Sequence, residues 1–285
     1  MDATIISFLN WSQCQLAEAG VLSPRLDSEI ILAHTLNLSR TDLWMQGKRV
    51  LSESEVKNVK KHMERRLNRE PISLIVGHHE FWSLEFIVDE NVLTPRPETE
   101  LLIETALNCI SSSTAKILDL GTGSGALAVV MAKEVPKSKI SAIDIDPKAL
   151  SIAKENAARH GVADRIEFIC ADLRKSNWSG CFSMILSNPP YIKSEDIQKI
   201  MPEVRNYEPW KALDGGITGL DFYRAIIPMA IDRLEEKGFL ILEVGHDQAD
   251  EVTVLLDNFS CYRNVEVISD YSGYDRVVKA QKING

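Results

Sequence analysis

The four residues Asn188-Pro189-Pro190-Tyr191 combine an amide side chain, a stiff backbone and a flat aromatic ring. They follow Cys181-Phe182-Ser183-Met184-Ile185-Leu186-Ser187, an apolar run that reads as a buried strand. Two consecutive prolines end that strand, because neither has an N–H to give to a ladder. Pro189 also holds Asn188 in an extended conformation. The result is a rigid loop at a strand's C-terminal edge, rich in carbonyl acceptors and poor in donors. The Asn188 side-chain carbonyl and the Pro189 backbone carbonyl can converge there on one planar NH2 group. Tyr191 offers a flat face to that group's plane, and Pro190 completes the substrate-binding set. Such a site suits an amide or amino-purine nitrogen that reacts without first losing a proton. An ordinary strand-ending turn also uses Pro-Pro, so the chemical reading depends on a second signature upstream.

That signature begins with the apolar strand Lys116-Ile117-Leu118-Asp119-Leu120 and continues into Gly121-Thr122-Gly123-Ser124-Gly125. A helix pattern follows from Ala126 to Val135. Glycines let the backbone bend sharply and let a ligand approach the main chain. The next strand, residues 139–144, ends in Asp144, 23 positions after Gly121. An acid at that spacing takes both hydroxyls of an adenosine ribose, a signal that dinucleotide-binding folds share. The Gly-x-Gly-x-Gly spacing departs from Gly-x-Gly-x-x-Gly, which argues against a pyrophosphate. S-adenosylmethionine carries no phosphate to cradle. Asp172 ends a third strand and by position meets an adenine amino group, with Leu173 packing on the ring. The alternative for Asp172 is a strand-end turn residue.

These residues need elements to position them. From residue 93 onward helix and strand patterns alternate, with strands expected near 116–120, 139–144, 166–170, 183–187 and 239–244. A last pair near 264–269 and 275–280 has no helix between its members and is expected to be antiparallel. Alternation of this kind predicts an α/β fold, a mostly parallel sheet covered by helices on both faces. Gly121, Asp144, Asp172 and Asn188 follow four consecutive strands, where such folds bind ligands. Residues 1–76 read as a small all-α domain. Gly20 closes its first helix, Ser23 and Pro24 open the second, and Ser52 with Glu55 forms a capping-box spacing. Residues 77–93 read as a β-hairpin connector ending at Asp89-Glu90-Asn91, and residues 94–285 as the catalytic domain.

Composition bounds the partners. The 285 residues carry a net charge of −9, which argues against holding duplex nucleic acid by phosphate neutralisation and favours a protein partner. Five cysteines, an odd count without a Cys-x-x-Cys pair, read as reduced and mostly buried thiols. The start Met1-Asp2-Ala3-Thr4 lacks the basic region of a signal peptide, and no apolar run reaches membrane-spanning length. A cytoplasmic protein without a membrane partner is expected. His34, His62, His78 and His79 form no ligand-like pattern, so no metal site is expected.

More of the chain follows one pattern. Leu93-Thr94-Pro95-Arg96-Pro97-Glu98-Thr99-Glu100, the glycine turn, the Asn-Pro-Pro-Tyr loop and Glu208-Pro209-Trp210-Lys211-Ala212-Leu213-Asp214-Gly215-Gly216 occur in one order with Gly219-Leu220-Asp221-Phe222-Tyr223-Arg224, Leu242-Glu243-Val244-Gly245 and Asp275-Arg276-Val277-Val278. Over essentially its whole length the chain resembles the HemK/PrmC family of peptide chain release factor glutamine methyltransferases, within the Rossmann-like class I methyltransferases. The resemblance implies methyl transfer from S-adenosylmethionine, leaving S-adenosylhomocysteine, to the glutamine side-chain nitrogen of the release-factor Gly-Gly-Gln motif. It implies Asn188, Pro189 and Tyr191 as catalytic residues. It implies Gly121, Thr122, Gly123, Ser124, Gly125, Asp144, Asp172, Leu173 and Asn188 around the cofactor, with the segment 96–99 at its mouth. Leu173 stands where family members carry an aromatic, and Trp178 is no assured replacement. The other readings are a methyltransferase of nucleobase amino groups in DNA or RNA, a binding protein that only retains cofactor, and a dinucleotide-dependent oxidoreductase.

Overall fold

The computed structural model describes residues 3–110, 114–175 and 179–283; Trp178 lies outside them. In chain order the elements are α1 (Ile5–Glu18), α2 (Pro24–Leu36), α3 (Arg40–Met45), α4 (Glu53–Leu67), α5 (Ile72–Val76), β1 (His78–Phe81), β2 (Leu84–Ile87), α6 (Glu100–Cys109), β3 (Lys116–Leu120), α7 (Ala126–Glu134), β4 (Lys139–Asp144), α8 (Pro147–Arg159), β5 (Ile166–Cys170), β6 (Phe182–Ser187), α9 (Pro202–Tyr207), α10 (Asp221–Arg233), β7 (Leu234–Glu243), α11 (Ala249–Asp257), β8 (Tyr262–Ser269) and β9 (Asp275–Lys282).

The chain divides into two compact units: Met1–His78 with Met201–Tyr207, and His79–Ile200 with Glu208–Gly285. The first unit is helical. Ile5, Leu9 and Leu16 of α1, Ile31 and Leu32 of α2, and Val59 and Met63 of α4 form its core. These positions recur at helical spacing, so each helix buries one apolar stripe. Ser52 and Glu55 cap α4 reciprocally, as expected, and Ser39 with Asp42 does the same for α3. Pro24 opens α2, although Ser23 makes no side-chain cap.

Residues 201–207, which the sequence pattern had placed in the α/β segment, belong to this helical unit. Their anchor is Glu203. Arg69 donates to its two oxygens at 2.7 and 2.8 Å, and Arg66 donates to Oε1 at 3.2 Å. Arg66 also donates to Asp27 Oδ2 at 2.7 Å. The Tyr207 hydroxyl donates to the Asn68 carbonyl oxygen at 2.7 Å. Buried charges of this kind persist only when paired and hydrogen-bonded.

The second unit is an α/β layer structure around a seven-stranded sheet of order β5-β4-β3-β6-β7-β9-β8. All neighbours from β5 to β7 run parallel, and β9 is antiparallel to both β7 and β8. Side chains alternate between the faces. Ile117, Met184, Leu186 and Ile241 pack with α6 and α7, while Leu118, Ile185, Leu240 and Leu242 pack with α10 and α11. Burial on both faces explains why these strands read as continuous apolar runs. The order reverses at β3, whose neighbours are β4 and β6, so the crevice expected in such sheets opens there.

Two local expectations are corrected. The hairpin turns at Trp82 and Ser83, both at positive φ (52° and 54°), whereas Asp89-Glu90-Asn91 forms a separate turn closed by Asn91 N–H on Asp89 Oδ1 at 2.9 Å. Glu100 accepts the Trp82 N–H at 2.8 Å and so fixes the hairpin tip. The cysteines are free, but Cys14, Cys170 and Cys181 are exposed and Cys109 and Cys261 only half-buried. Cys170 and Cys181 sit at a strand end and just before a strand, where the chain surfaces.

Candidate functional site

The glycine turn is built around carbonyls and acids rather than around side-chain bulk. Gly121 and Thr122 both donate their N–H groups to the Ile143 carbonyl oxygen at 2.9 Å. Gly121, Gly123 and Gly125 have φ of 75°, 54° and 81°, the left-handed region that other residues enter at a cost. At Gly125 a Cβ would also come within 2.9 Å of Ala153 in α8, so only glycine lets α7 start there. Asn156 of α8, fully buried, donates to the carbonyls of Ser124 and Ile87 and accepts the Ile87 N–H, tying the turn to β2.

Asp144 ends β4. Its Oδ2 accepts from Gly123 N–H and its Oδ1 from Asp146 N–H, both at 2.9 Å. Burial raises its pKa, partly offset by those two N–H groups. Asp119, beneath the turn, accepts the Thr122 hydroxyl at 2.6 Å, and burial pushes its carboxyl up to about 7. Asp172 follows β5 and is held on both oxygens by Arg174, which keeps its carboxyl below the usual range. The Arg174 guanidinium in turn lies 5.6 Å from the centre of the Phe222 ring.

Asn188 follows β6 directly. Its Nδ2 donates to Thr99 Oγ1 at 3.1 Å, and among the described residues no donor reaches its Oδ1. The Thr99 hydroxyl is hydrogen-bonded to the carboxyl of Glu243 at the end of β7. The loop itself is clamped from behind. Ile192 N–H donates to Leu213 O and Gly215 N–H to Ile192 O, a short parallel bridge. Gln248 Nε2 donates to the Tyr191 carbonyl oxygen at 3.0 Å. A Cβ on Gly215 would approach Pro190 O and Tyr191 Cα to 2.8 Å. Backbone lies against backbone here, which explains the glycine pair in Asp214-Gly215-Gly216.

Two ion pairs join segments far apart in sequence. Arg96 donates to buried Glu208 at 2.5 Å, and Lys211 pairs with Asp146 after β4. The Pro-Arg-Pro-Glu-Thr-Glu and Glu-Pro-Trp-Lys stretches are therefore parts of one frame.

A cavity of about 380 Å³ opens over these strand ends. Of the residues singled out in the sequence, Gly121, Gly123, Asp144, Asp172, Leu173, Asn188 and Pro190 line it. Thr122, Ser124, Gly125, Pro189 and Tyr191 do not. Thr122, Ser124 and Pro189 are buried beneath it, and the Tyr191 ring packs on the core formed with α10 and α11. Ile145, Phe222 and Lys211 also line the cavity, and none was legible beforehand. Ile145 had one usable signal, an apolar residue directly after a strand-ending acid.

Residues 7–77 match the PrmC N-terminal domain and residues 97–204 the methyltransferase small domain. A release factor glutamine methyltransferase of Geobacter sulfurreducens is 38% identical over 275 residues, 96% of this chain and 95% of the relative. One of Nitratidesulfovibrio vulgaris is 39% identical over 282 residues, 98% of this chain and 96% of the relative. A crystal structure of a methyltransferase from Pyrococcus furiosus shares the fold at 18% identity, with a TM-score of 0.55 over 79% of this chain and all of that one. A PrmC-type helical domain, a methyltransferase domain and full-length identity near two-fifths place this chain in the release factor glutamine methyltransferase family.

Proposed function

We propose that this chain transfers a methyl group from S-adenosylmethionine to the side-chain amide nitrogen of the glutamine in the Gly-Gly-Gln motif of peptide chain release factors, and so modulates translation termination. The observation that carries the reading is Asn188. Its amide is anchored through nitrogen, which leaves an acceptor oxygen at the wall of a cavity with adenosyl-sized room.

The residues present fit that cofactor. Gly123 has open space where a Cβ would stand, so main chain can touch a ligand. Asp144 retains lone pairs for the ribose hydroxyls. Ile145 and Leu173 supply apolar surface for the adenine, and Asp172 an acceptor for its amino group. When bound, S-adenosylmethionine supplies an electrophilic methyl on a sulfonium, already a good leaving group. The chain's own work is orientation. A glutamine amide is a poor nucleophile because its lone pair is delocalised into the carbonyl. The Asn188 oxygen and the Pro189 carbonyl accept the two amide hydrogens and aim the nitrogen. Acceptors fixed in advance stabilise the positive charge that grows there. Tyr191, packed on the core, steadies the loop that carries Asn188, and the proton leaves late, to solvent. No metal enters this scheme, and S-adenosylhomocysteine is the product.

The helical unit is the part we assign to recognition of the release factor, and the substrate's role places the reaction in the cytoplasm. Duplex nucleic acid has no part in the scheme. Label transfer from radioactive S-adenosylmethionine, with release factor, DNA and RNA offered side by side, tests the reading. Label in the release factor glutamine supports it, and label in nucleic acid alone refutes it.

A further inference from the structure

An asparagine amide has nearly the same shape whichever way round it sits, so shape alone does not decide whether Asn188 shows the cavity an acceptor or a donor. The structure holds a device that does decide. Asn188 Nδ2 lies 3.1 Å from Thr99 Oγ1, and the Thr99 hydroxyl is hydrogen-bonded to the Glu243 carboxyl. Thr99 and Glu243 are buried, at 5% and 1% exposure. Glu243 Oε2 has no hydrogen-bond partner among the described residues.

A carboxylate has only lone pairs to offer. The single proton of the Thr99 hydroxyl must then point at Glu243. Only lone pairs remain on the Asn188 side of Oγ1, so the amide must present its NH2 group to Thr99 and its oxygen to the cavity. A protonated Glu243 reverses the constraint. It donates to Thr99, the hydroxyl is free to turn toward Asn188, and the amide can settle with NH2 outward. That orientation repels the NH2 group of an incoming amide.

We propose that Thr99 and Glu243 are positioning residues, a hydroxyl rotor and a carboxylate that fix the Asn188 amide with its oxygen toward the target nitrogen. The catalytic consequence rests on the methyl-transfer reading given above; the orientation of the amide does not. Neither residue touches the substrate in this scheme.

The charged and titratable groups facing Glu243 come from four other parts of the unit. They are Arg276 on β9, Arg96 and Glu98 before α6, Tyr191 after β6 and Tyr223 on α10. The Tyr223 hydroxyl donates to the Glu243 backbone carbonyl oxygen at 2.9 Å, so it leaves the carboxyl to Thr99. Burial drives the carboxyl up, the bond from Thr99 and the two arginines oppose that, and the balance lies at about 7. Deprotonation is the active direction. Transfer is therefore expected to rise with pH through neutrality, by about tenfold from pH 6 to pH 8 for one ionisation centred there.

Asp119 also titrates at about 7, so wild-type kinetics alone do not assign the limb. Glu243→Gln does. Its amide does not ionise, so the limb should vanish, and with its NH2 group toward Thr99 kcat should fall by roughly tenfold to a hundredfold. Thr99→Val should do the same at every pH, and Thr99→Ser, which keeps the rotor, should restore most of the rate. S-adenosylmethionine affinity by calorimetry should stay within about threefold in all three, which separates positioning from general damage. A second readout needs no activity and no variant. The Asn188 side-chain amide signals in 15N NMR of the wild-type chain should shift across pH 6 to 8.

A Thr99→Val enzyme as fast as wild type, an unchanged pH limb in Glu243→Gln, or Asn188 amide signals that ignore pH would each overturn the proposal. Failure of the wild type to methylate glutamine, with those signals still titrating, would refute the proposed function and leave the orientation device standing.

Discussion

Both units bury acids, and they treat them in opposite ways. In the helical unit Glu203 sits against Arg66 and Arg69; burial pushes its carboxyl up, but the arginines outweigh that and hold it low. In the catalytic unit Asp119 and Glu243 are completely enclosed, and each is held by a threonine hydroxyl, Thr122 and Thr99 respectively. A neutral partner satisfies the geometry without neutralising the charge, and both carboxyls rise to about 7. The first arrangement makes a permanently ionised tie. The second makes groups whose charge is conditional, and both lie at the C-terminal ends of strands, in β3 and β7. Acids perturbed mainly by burial are expected at functional sites.

The largest effect expected from breaking this contrast is in the helical unit. Arg66→Ala leaves Asp27 and Glu203 short of a counter-charge in a buried setting, which typically costs about 3–5 kcal/mol. Chemical denaturation should show the helical unit unfolding early, while cofactor affinity of the native protein stays near wild type.

Asn188→Ala is next, and it strikes the catalytic unit without unfolding it. Removing a preorganised acceptor should lower kcat on release factor by roughly a hundredfold to a thousandfold. Calorimetry should show cofactor affinity little changed, because the glycine turn and Asp144 are intact. Wild-type turnover in this variant would remove the main reason for regarding the loop as catalytic.

The conditional acids also predict a stability profile. Their folded pKa values lie above the unfolded ones, so the folded state holds more protons between about pH 4.5 and 7. Stability should fall as pH rises through that window and level off above it. The decline is on the order of 4 kcal/mol for Asp119 and 3 kcal/mol for Glu243. Asp119→Asn and Glu243→Gln together should flatten the profile measured by thermal melting; an unchanged slope would assign it elsewhere.

The smallest effect is at Asp144, the residue proposed for the ribose. Asp144→Ala removes charge-assisted bonds worth about 1.5–3 kcal/mol, so S-adenosylmethionine should bind about tenfold to a hundredfold more weakly.

The strands of the sheet were legible because burial on both faces makes each a continuous apolar run that stops at a glycine or polar residue. Gly121, Asp144, Asp172 and Asn188 could be read in one line for that reason, and all four line the cavity. Thr99 and Glu243 were visible as residues but not as partners, since nothing in sequence links a short turn before α6 to the end of β7. Lys211 and Arg96 were hidden the same way; their partners, Asp146 and Glu208, are tertiary contacts. The hairpin misled because Asp-Glu-Asn has ordinary turn chemistry. The true tip uses Trp82 and Ser83, residues that rarely take positive φ and do so here against Glu100.

The placement of residues 201–207 in the helical unit imposes an order on synthesis. Residues 1–78 leave the ribosome long before Met201 is made. During that interval Arg66 already has Asp27, within the same stretch, whereas Arg69 lacks the carboxylate that accepts two of its bonds. The ion-pair network of the helical unit is thus completed only when Glu203 arrives from the middle of the catalytic segment.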